Sequence, residues 1–191
     1  IAFWSNRDGG GYFVMPALGG APRKVIATPD ARGDAGMSGF GVAGRPAWSP
    51  DGTELAGTVL SPAAHELTVT SLSSERSRRR VLPAGLVGVM DLSWSPAGQI
   101  MAFVEGMPSR TTSRLYAGRL DEDGITAITD GSTSAWSPTW SPDGRQLYFV
   151  HSGAGTMDLW HQAMTGAGQP EGLPTALTTG VEMRRAALSR D

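Results

Sequence analysis

Cysteine is absent from this chain of 191 residues. Its absence excludes disulfide bonds, thiolate metal ligands and cysteine nucleophiles together. It does not fix the cellular compartment, because proteins on either side of a bacterial membrane can lack cysteine. We therefore predict no disulfide framework, and the cysteine content leaves the cellular compartment undetermined.

The sequence also lacks a long apolar run and a strong net charge. No stretch approaches the 18 apolar residues of a membrane-spanning helix, and no basic start precedes an apolar segment as in a signal peptide. The formal charge of −2 is spread along the chain, so nothing draws the whole molecule to nucleic acid or anionic lipid. We predict no nucleic acid partner and no membrane insertion.

Sustained helical periodicity is missing as well. The chain instead has 26 glycines and 13 prolines, which punctuate short apolar runs. Short apolar segments between turn residues are typical of strands. Because 40% of the residues are apolar, the chain can bury a core. The sequence therefore predicts a folded all-β protein.

The same five residues, WSPDG, occur at 48–52 and again at 140–144. LSWSPAGQIMAF at 92–103 is a third copy in which Ala97 replaces Asp, and AALSRD at 186–191 is a decayed fourth. The equivalent positions are 46, 46 and 48 residues apart, which indicates a propeller or a solenoid. These positions are Trp48, Trp94, Trp140 and Leu188.

The repeated SPDG has the chemistry of a tight hairpin. Proline presets φ at the second corner and glycine accepts positive φ at the fourth, as in a type I turn closed by a glycine bulge. Four strands follow one another in each period, which is one blade of a β-propeller. We predict burial of the four Trp-type positions, at about 2–3 kcal/mol for each indole. The fourth strands are predicted at 23–26, 79–82, 126–129 and 175–178.

These hairpins and the apolar strands that follow them resemble the TolB-like, WD-like β-propeller repeat. The resemblance covers nearly the whole chain. It implies an all-β propeller of four-stranded antiparallel blades, with four repeats at about 1–52, 53–98, 99–144 and 145–191. It also favours a bacterial periplasmic or extracytoplasmic location.

The chain starts with a second strand and ends with a first strand, at 185–189. We therefore expect the last strand to pair with the first and complete a shared blade. Three arrangements stay open: four units of a longer ring, which we favour, a homodimer that pairs its free edges into a larger ring, and a closed four-bladed ring. Because the chain begins at IAFWS without Met, we expect it to be an excerpt.

No catalytic constellation is evident in the sequence. It has no G-x-S-x-G nucleophile elbow, and its three histidines lack metal-ligand spacing. LDEDGIT at 120–126 lacks the distal glutamate of a calcium loop, and NRDGGG at 6–11 lacks the lysine of a phosphate loop. Both are predicted to be turns. We predict no catalytic residue, no metal and no cofactor.

Arginines cluster in ERSRRR at 75–80. This charge could attract phosphate or an acidic partner, but it falls at the turn into an outermost strand, where exposed charge discourages edge aggregation. We favour the protective role, because no aromatic residues are interleaved as in a nucleic acid site.

Binding residues are expected on the face opposite the SPDG hairpins, where the connections differ between copies and the longest runs from Ala27 to Gly44. Propellers place recognition in long variable loops on a rigid scaffold. Four residues, each three positions before a Trp-type position, are predicted to line the mouth of a central channel. The alternative is that they form ion pairs between blades. They are Arg45, Asp91, Ser137 and Arg185, and His65 and His151 are predicted near the same face.

The predicted function is a non-catalytic interaction module that binds a protein, a peptide or a small polar ligand. The resemblance leaves two alternatives: an accessory propeller that gates a prolyl-oligopeptidase-like serine peptidase, and a sensor domain of a bacterial kinase or transcription regulator. A propeller lyase or glycosidase is disfavoured, because Asp91 is the one acidic residue at the predicted mouth.

Overall fold

The computed structural model describes residues 1–28, 44–60, 65–83, 86, 88–106, 112–121, 124–153 and 155–188. In this part of the chain the regular structure is β, apart from a short 3-10 turn at Arg7–Gly9. The strands are β1 (Ala2–Ser5), β2 (Gly11–Val14), β3 (Arg23–Ala27), β4 (Ala47–Trp48), β5 (Glu54–Leu60), β6 (His65–Ser71), β7 (Ser77–Val81), β8 (Val89–Trp94), β9 (Ile100–Glu105), β10 (Arg114–Arg119), β11 (Ile125–Ala127), β12 (Ala135–Trp140), β13 (Gln146–His151), β14 (Asp158–Met164) and β15 (Pro170–Ala176).

Each sheet is built from strands that follow one another in the chain, all antiparallel. β1 to β3 form a three-stranded sheet, and β4 to β7, β8 to β11 and β12 to β15 form four-stranded sheets. This up-and-down order is that of a propeller blade, as the repeat predicts. Residues 185–188 are described without a strand, and 189–191 lie outside the described residues. The predicted pairing of the last strand with β1 therefore stays a prediction.

The chain divides into two compact units, Ile1–Met90 and Asp91–Asp191, and the boundary falls within β8. The core of the first unit centres on Tyr12, Ile26 and Leu55. The core of the second is larger and contains most of the apolar residues of β9 and β13. β9 is buried at five of its six positions. Strands covered on both faces read as continuous apolar runs, which explains the weak alternation in the sequence.

The prediction that all four Trp-type positions are buried is wrong for two of them. Trp94 and Trp140 are 8% and 6% exposed, but Trp48 is 39% and Leu188 is 36% exposed. The Trp140 indole N–H donates to the carbonyl of Ser93 at 3.1 Å, in the first strand of the preceding sheet. The sheet before Trp48 has no such strand among the described residues, and Leu188 lies in no described strand.

Candidate binding surface

Each blade has two ends, which the antiparallel order separates. The turns 49–52, 95–98 and 141–144 lie at one end, here called the hairpin end. The starts of β4, β8 and β12 lie at the other, here called the entry end, together with the connections from second to third strands and those after fourth strands.

The hairpin end is closed by its own hydrogen bonds. The N–H groups of Gly52, Gly98 and Gly144 donate to the carbonyls of the serines three residues earlier, each at 2.9 Å. These glycines have φ of 71°, 80° and 71°. Positive φ at the fourth corner confirms the predicted turn.

The aspartates of these turns are also satisfied internally. The hydroxyl of Ser49 donates to Asp51 Oδ1 at 2.6 Å, and the Thr53 N–H donates to the same oxygen at 3.0 Å. Ser141 and Asp143 repeat the bond at 2.6 Å. The serine hydroxyl is the main reason that the pKa of each aspartate is lowered, and the N–H group two residues on adds to it.

A groove of about 500 Å³ nevertheless lies at the hairpin end of the second unit. Its volume falls within the range of about 300–1,000 Å³ that is common for ligand sites. Ile100, Ala163 and Met164 give it an apolar lining, whereas Asp143 and Glu171 add carboxylates. The sequence does not predict this groove, because its walls come from three separate turns that no linear motif joins.

The predicted binding residues lie at or near the entry ends of the strands, apart from Arg185, which lies in no described strand. Arg45 is exposed just before β4, and His65 opens β6. Asp91 lies in β8 and is half-buried, and Ser137 lies in β12 and is 9% exposed. Arg185 is exposed in the segment after β15.

Asp91 and Ser137 share an unusual backbone conformation. Their φ values are 47° and 56°, in the left-handed region that residues other than glycine rarely adopt. In β12 the register also shifts between Trp136 and Thr139, so Ser137 forms an irregularity in the strand. The two residues are equivalent in successive repeats, and strained backbone of this kind is concentrated at functional sites.

Asp158 organises the chain that follows β15. It is 2% exposed, and its carboxylate accepts the hydroxyls of Thr156 and Thr178 at 2.6 and 3.0 Å. The N–H groups of Gly180 and Val181 donate to it at 3.0 Å each. These bonds, the one from Thr156 first, lower the pKa of Asp158 from 3.8 to about 2.

The same segment reaches the start of β12. The indole N–H of Trp136 donates to the carbonyl of Arg184 at 2.8 Å. This bond ties the segment after β15 to β12, beside the irregularity at Ser137. The sequence does not mark Asp158, because the equivalent positions of the other repeats carry different residues and the motif has no copy.

The two predicted histidines are both held by local contacts. His151 Nε2 lies 2.8 Å from the hydroxyl of Thr133, and its ring meets Trp160 edge-on at 5.0 Å between centroids. Burial lowers the pKa of His151, and the carboxylate of Asp130 acts in the opposite direction. The N–H of Gly88 donates to His65 Nε2 at 3.4 Å.

Within the described ranges, no three His, Cys, Asp or Glu side chains group as metal ligands would. No helix in this part of the chain is long and apolar enough to cross a membrane. Most of the long connection from Ala27 to Gly44, at 29–43, lies outside the described residues, as do Glu122 and Asp123 of the calcium-like turn.

The sheets and their order define the chain as a β-propeller protein. The Gmad1 family, the lipoprotein LpqB beta-propeller domain, matches residues 80–191, which is more than half of the chain. The chain belongs to this family. Bacterial propellers with TolB-like repeats share its fold, as the resemblance of the WSPDG repeat implies.

Two solved structures show the same fold. The chain is similar to putative TolB from Agrobacterium tumefaciens, with 20% identity, a TM-score of 0.64 and coverage of 93% of this chain and 60% of that one. It is similar to TolB from Acinetobacter baumannii, with 17% identity, a TM-score of 0.61 and coverage of 89% and 38%. At this identity the likeness concerns the fold.

A curated relative matches part of the sequence. The dipeptidyl-peptidase 5 of Porphyromonas gingivalis is 29% identical over 75 residues, which are 37% of this chain and 11% of that protein. The chain thus spans less than two thirds of each of these three proteins.

Proposed function

We propose that this chain is a non-catalytic interaction module that binds a protein, a peptide or a small polar ligand at the entry end of its blades. The observation that carries the proposal is the left-handed backbone at Asp91 and Ser137, at equivalent positions of two repeats. Such strain persists where the surrounding structure imposes it, and it re-aims backbone groups in a way that a regular strand cannot.

In the second unit the proposed surface contains Asp91, Ser137 and Arg185. Asp91 offers a carboxylate and Arg185 an exposed guanidinium, whereas Ser137 acts through its backbone because its side chain is buried. His151 borders this surface. We propose Arg45 and His65 as the corresponding residues at the entry end of the first unit.

Among the described residues, the contacts of His151 differ from those of the histidine in a catalytic triad. A hydroxyl beside a histidine is the start of a nucleophilic triad, and Thr133 provides one at 2.8 Å. The other ring nitrogen, Nδ1, is buried without a hydrogen-bond partner among the described residues. A triad needs a carboxylate at that nitrogen to orient the ring, so this pair lacks the third member.

A second candidate function is a gating propeller of a serine peptidase. It is favoured by the 75-residue match to a dipeptidyl-peptidase. The catalytic residues would then lie outside this chain. A G-x-S-x-G motif in sequence beyond residue 191 would support this candidate, whereas an upstream membrane helix with a kinase or winged-helix region would support a sensor domain.

Peptides selected from a random displayed library on the wild-type chain test the proposed function. The double variant Arg45→Glu, Arg185→Glu should bind the selected peptides about tenfold or more weakly, because it reverses the charge at both entry ends. Its thermal unfolding should stay unchanged. Arg145→Glu makes the same chemical change at the hairpin end and is the matched control.

Equal affinity for the wild-type chain and the double variant, or a loss confined to Arg145→Glu, would remove the entry end from consideration. The homodimeric ring remains a separate proposal. Native mass at low protein concentration tests it, because a dimer should persist there if its edges are paired.

A further inference from the structure

The last strands of the four sheets differ in how their open edges are protected. β15 contains two prolines and a register shift, β3 pairs with a register shift, and β11 has three residues. Prolines, irregular pairing and short length all discourage a further strand from adding. β7 has five residues, no Gly or Pro, and an unbroken register with β6. It is the regular edge among the described outer strands.

The hydrogen bonds that flank β7 fix which of its backbone groups face outward. Leu82 N–H donates to the His65 carbonyl, and Ser71 N–H donates to the Arg76 carbonyl. In an antiparallel ladder bonded pairs alternate with non-bonded pairs. The backbone N–H and C=O groups of Arg78 and Arg80 therefore point toward β6. The N–H and C=O groups of Ser77, Arg79 and Val81 point away from the sheet.

The side chains along this edge give it a positive character. Arg78 contacts both carboxylate oxygens of Glu54, one of them at 2.8 Å, and Arg79 lies 4.0 Å from Glu66. The two guanidinium side chains stay 55% and 70% exposed. Arg76, in the turn before β7, makes no ion pair with a described residue. Arg78 and Arg79 thus keep much of their guanidinium surface exposed beside their glutamate partners, and Arg76 adds a third positive charge.

We propose that the outer edge of β7 binds an extended acidic segment of a partner protein by strand addition. Three outward N–H groups and three outward carbonyls, two residues apart, form the template for such a strand. Carboxylates on the incoming segment would complement the exposed guanidinium groups of Arg76, Arg78 and Arg79. This surface is separate from the entry end, which the proposed function uses.

The same charge argues against a second copy of this chain as the occupant. Pairing β7 with another β7 would set arginines opposite arginines, and like charges across a strand pair are destabilising. The arginines would therefore block self-association and favour an acidic partner. This places a binding role beside the protective one that the sequence predicts for them.

A titration of the ¹⁵N-labelled chain with the peptide acetyl-Thr-Glu-Val-Glu-Val-Glu-Thr-amide tests the proposal. We expect shifts of the amide signals of residues 77–81. The same peptide with Lys in place of Glu should not bind, because it lacks the complementary charge. The acidic peptide with alternate backbone N-methyl groups should bind about tenfold or more weakly, since it keeps the charge but loses strand hydrogen bonds.

Two variants separate the backbone from the charge. Arg79→Pro removes an outward N–H but no bond to β6, so the sheet should stay folded while the peptide binds about tenfold or more weakly. Arg79→Ala keeps the N–H and should weaken binding less. Amide spectra and melting temperatures of both variants report their folding.

Several results would overturn the proposal. One is equal binding of the N-methylated and unmodified peptides, which would leave a charged patch without strand addition. Others are no shift at 77–81, or displacement of the acidic peptide by oligouridylate at lower concentration, which would make the arginines a nucleic acid site.

Discussion

Gly57 shows how one small residue allows two blades of the first unit to pack. By the registers of β4 with β5 and of β12 with β13, Gly57 is equivalent to Phe149 of the last repeat. The ring of Tyr12, which is fully buried, occupies the space that the missing side chain leaves. The Tyr12 hydroxyl lies 3.2 Å from both the carbonyl oxygen and the nitrogen of Thr58. A side chain of the preceding sheet thus replaces one of the strand's own.

The variant Gly57→Ala should lose stability, because its Cβ would lie 2.5 Å from Cε2 of the Tyr12 ring. Overpacking of this kind costs about 1–3 kcal/mol. Chemical unfolding followed by circular dichroism measures the loss. Gly166→Ala is the control, because its Cβ would meet no atom within 4 Å. Equal stability of both variants would show that the Tyr12 ring moves freely.

Asp158 makes the segment after β15 sensitive to acid. Its pKa in the folded chain is about 2, below the ordinary value of 3.8, so the carboxylate stabilises the fold above pH 4 or so and this contribution is lost as the pH falls toward 2. Asp158→Asn should therefore lower the melting temperature at pH 7. The difference from the wild-type chain should shrink near pH 2.

Melting curves of both proteins between pH 2 and pH 7 check this dependence. Glu182→Gln, in the same exposed segment, is the control and should follow the wild-type chain. A difference between Asp158→Asn and wild type that stays constant with pH would contradict the assigned role of the carboxylate.

At the scale of the element, the SPDG hairpin is a unit whose parts can be exchanged. The third copy has Ala97 where the others have Asp51 and Asp143, and the Ser95 hydroxyl there accepts the Ala97 N–H at 3.3 Å. In the turn with Asp51, the carboxylate instead accepts the serine hydroxyl and the backbone N–H of the residue two positions later.

We expect Ala97→Asp to stabilise the chain by about 1 kcal/mol, since it restores these hydrogen bonds. Asp143→Ala should destabilise it by a similar amount, which makes the two changes a matched pair. Urea unfolding of the second unit measures both. A loss of stability in Ala97→Asp would show that the third turn differs from the others in more than one residue.

The elements also show what the sequence can predict. The turns were predictable because proline, aspartate and glycine act within four residues. The last strand was predicted at 175–178 but runs from Pro170 to Ala176. The register shifts at Gln162, whose buried side-chain amide donates to the carbonyl of Glu171 at 2.9 Å. A side chain that bridges two strands leaves no periodic trace in the sequence.

The same limit applies to the candidate site. Asp91 and Ser137 could be predicted, because each lies three positions before a repeated Trp and the repeat marks equivalent residues. No local motif marks their left-handed backbone, and the link from Trp136 to Arg184 is a contact between residues 48 positions apart. Such contacts follow from the folded blade and from no local motif.

At the scale of the whole molecule, the repeats form blades whose hairpin ends are alike and whose entry ends differ. The hairpin end uses its polar groups internally, whereas the entry end presents strained backbone and charged side chains. Uniform turns stabilise each blade, and the variable connections leave room for recognition. This division of roles is the basis of the proposed binding function.

The most direct test is an amide-shift map of the ¹⁵N-labelled chain with a peptide selected on it from a random library. We expect the largest shifts at Asp91, at Ser137 and in 181–188, with little change at Gly144, Arg145 and Gly166 around the groove of the hairpin end. Shifts concentrated at the groove, with none at the entry end, would contradict the proposed binding function.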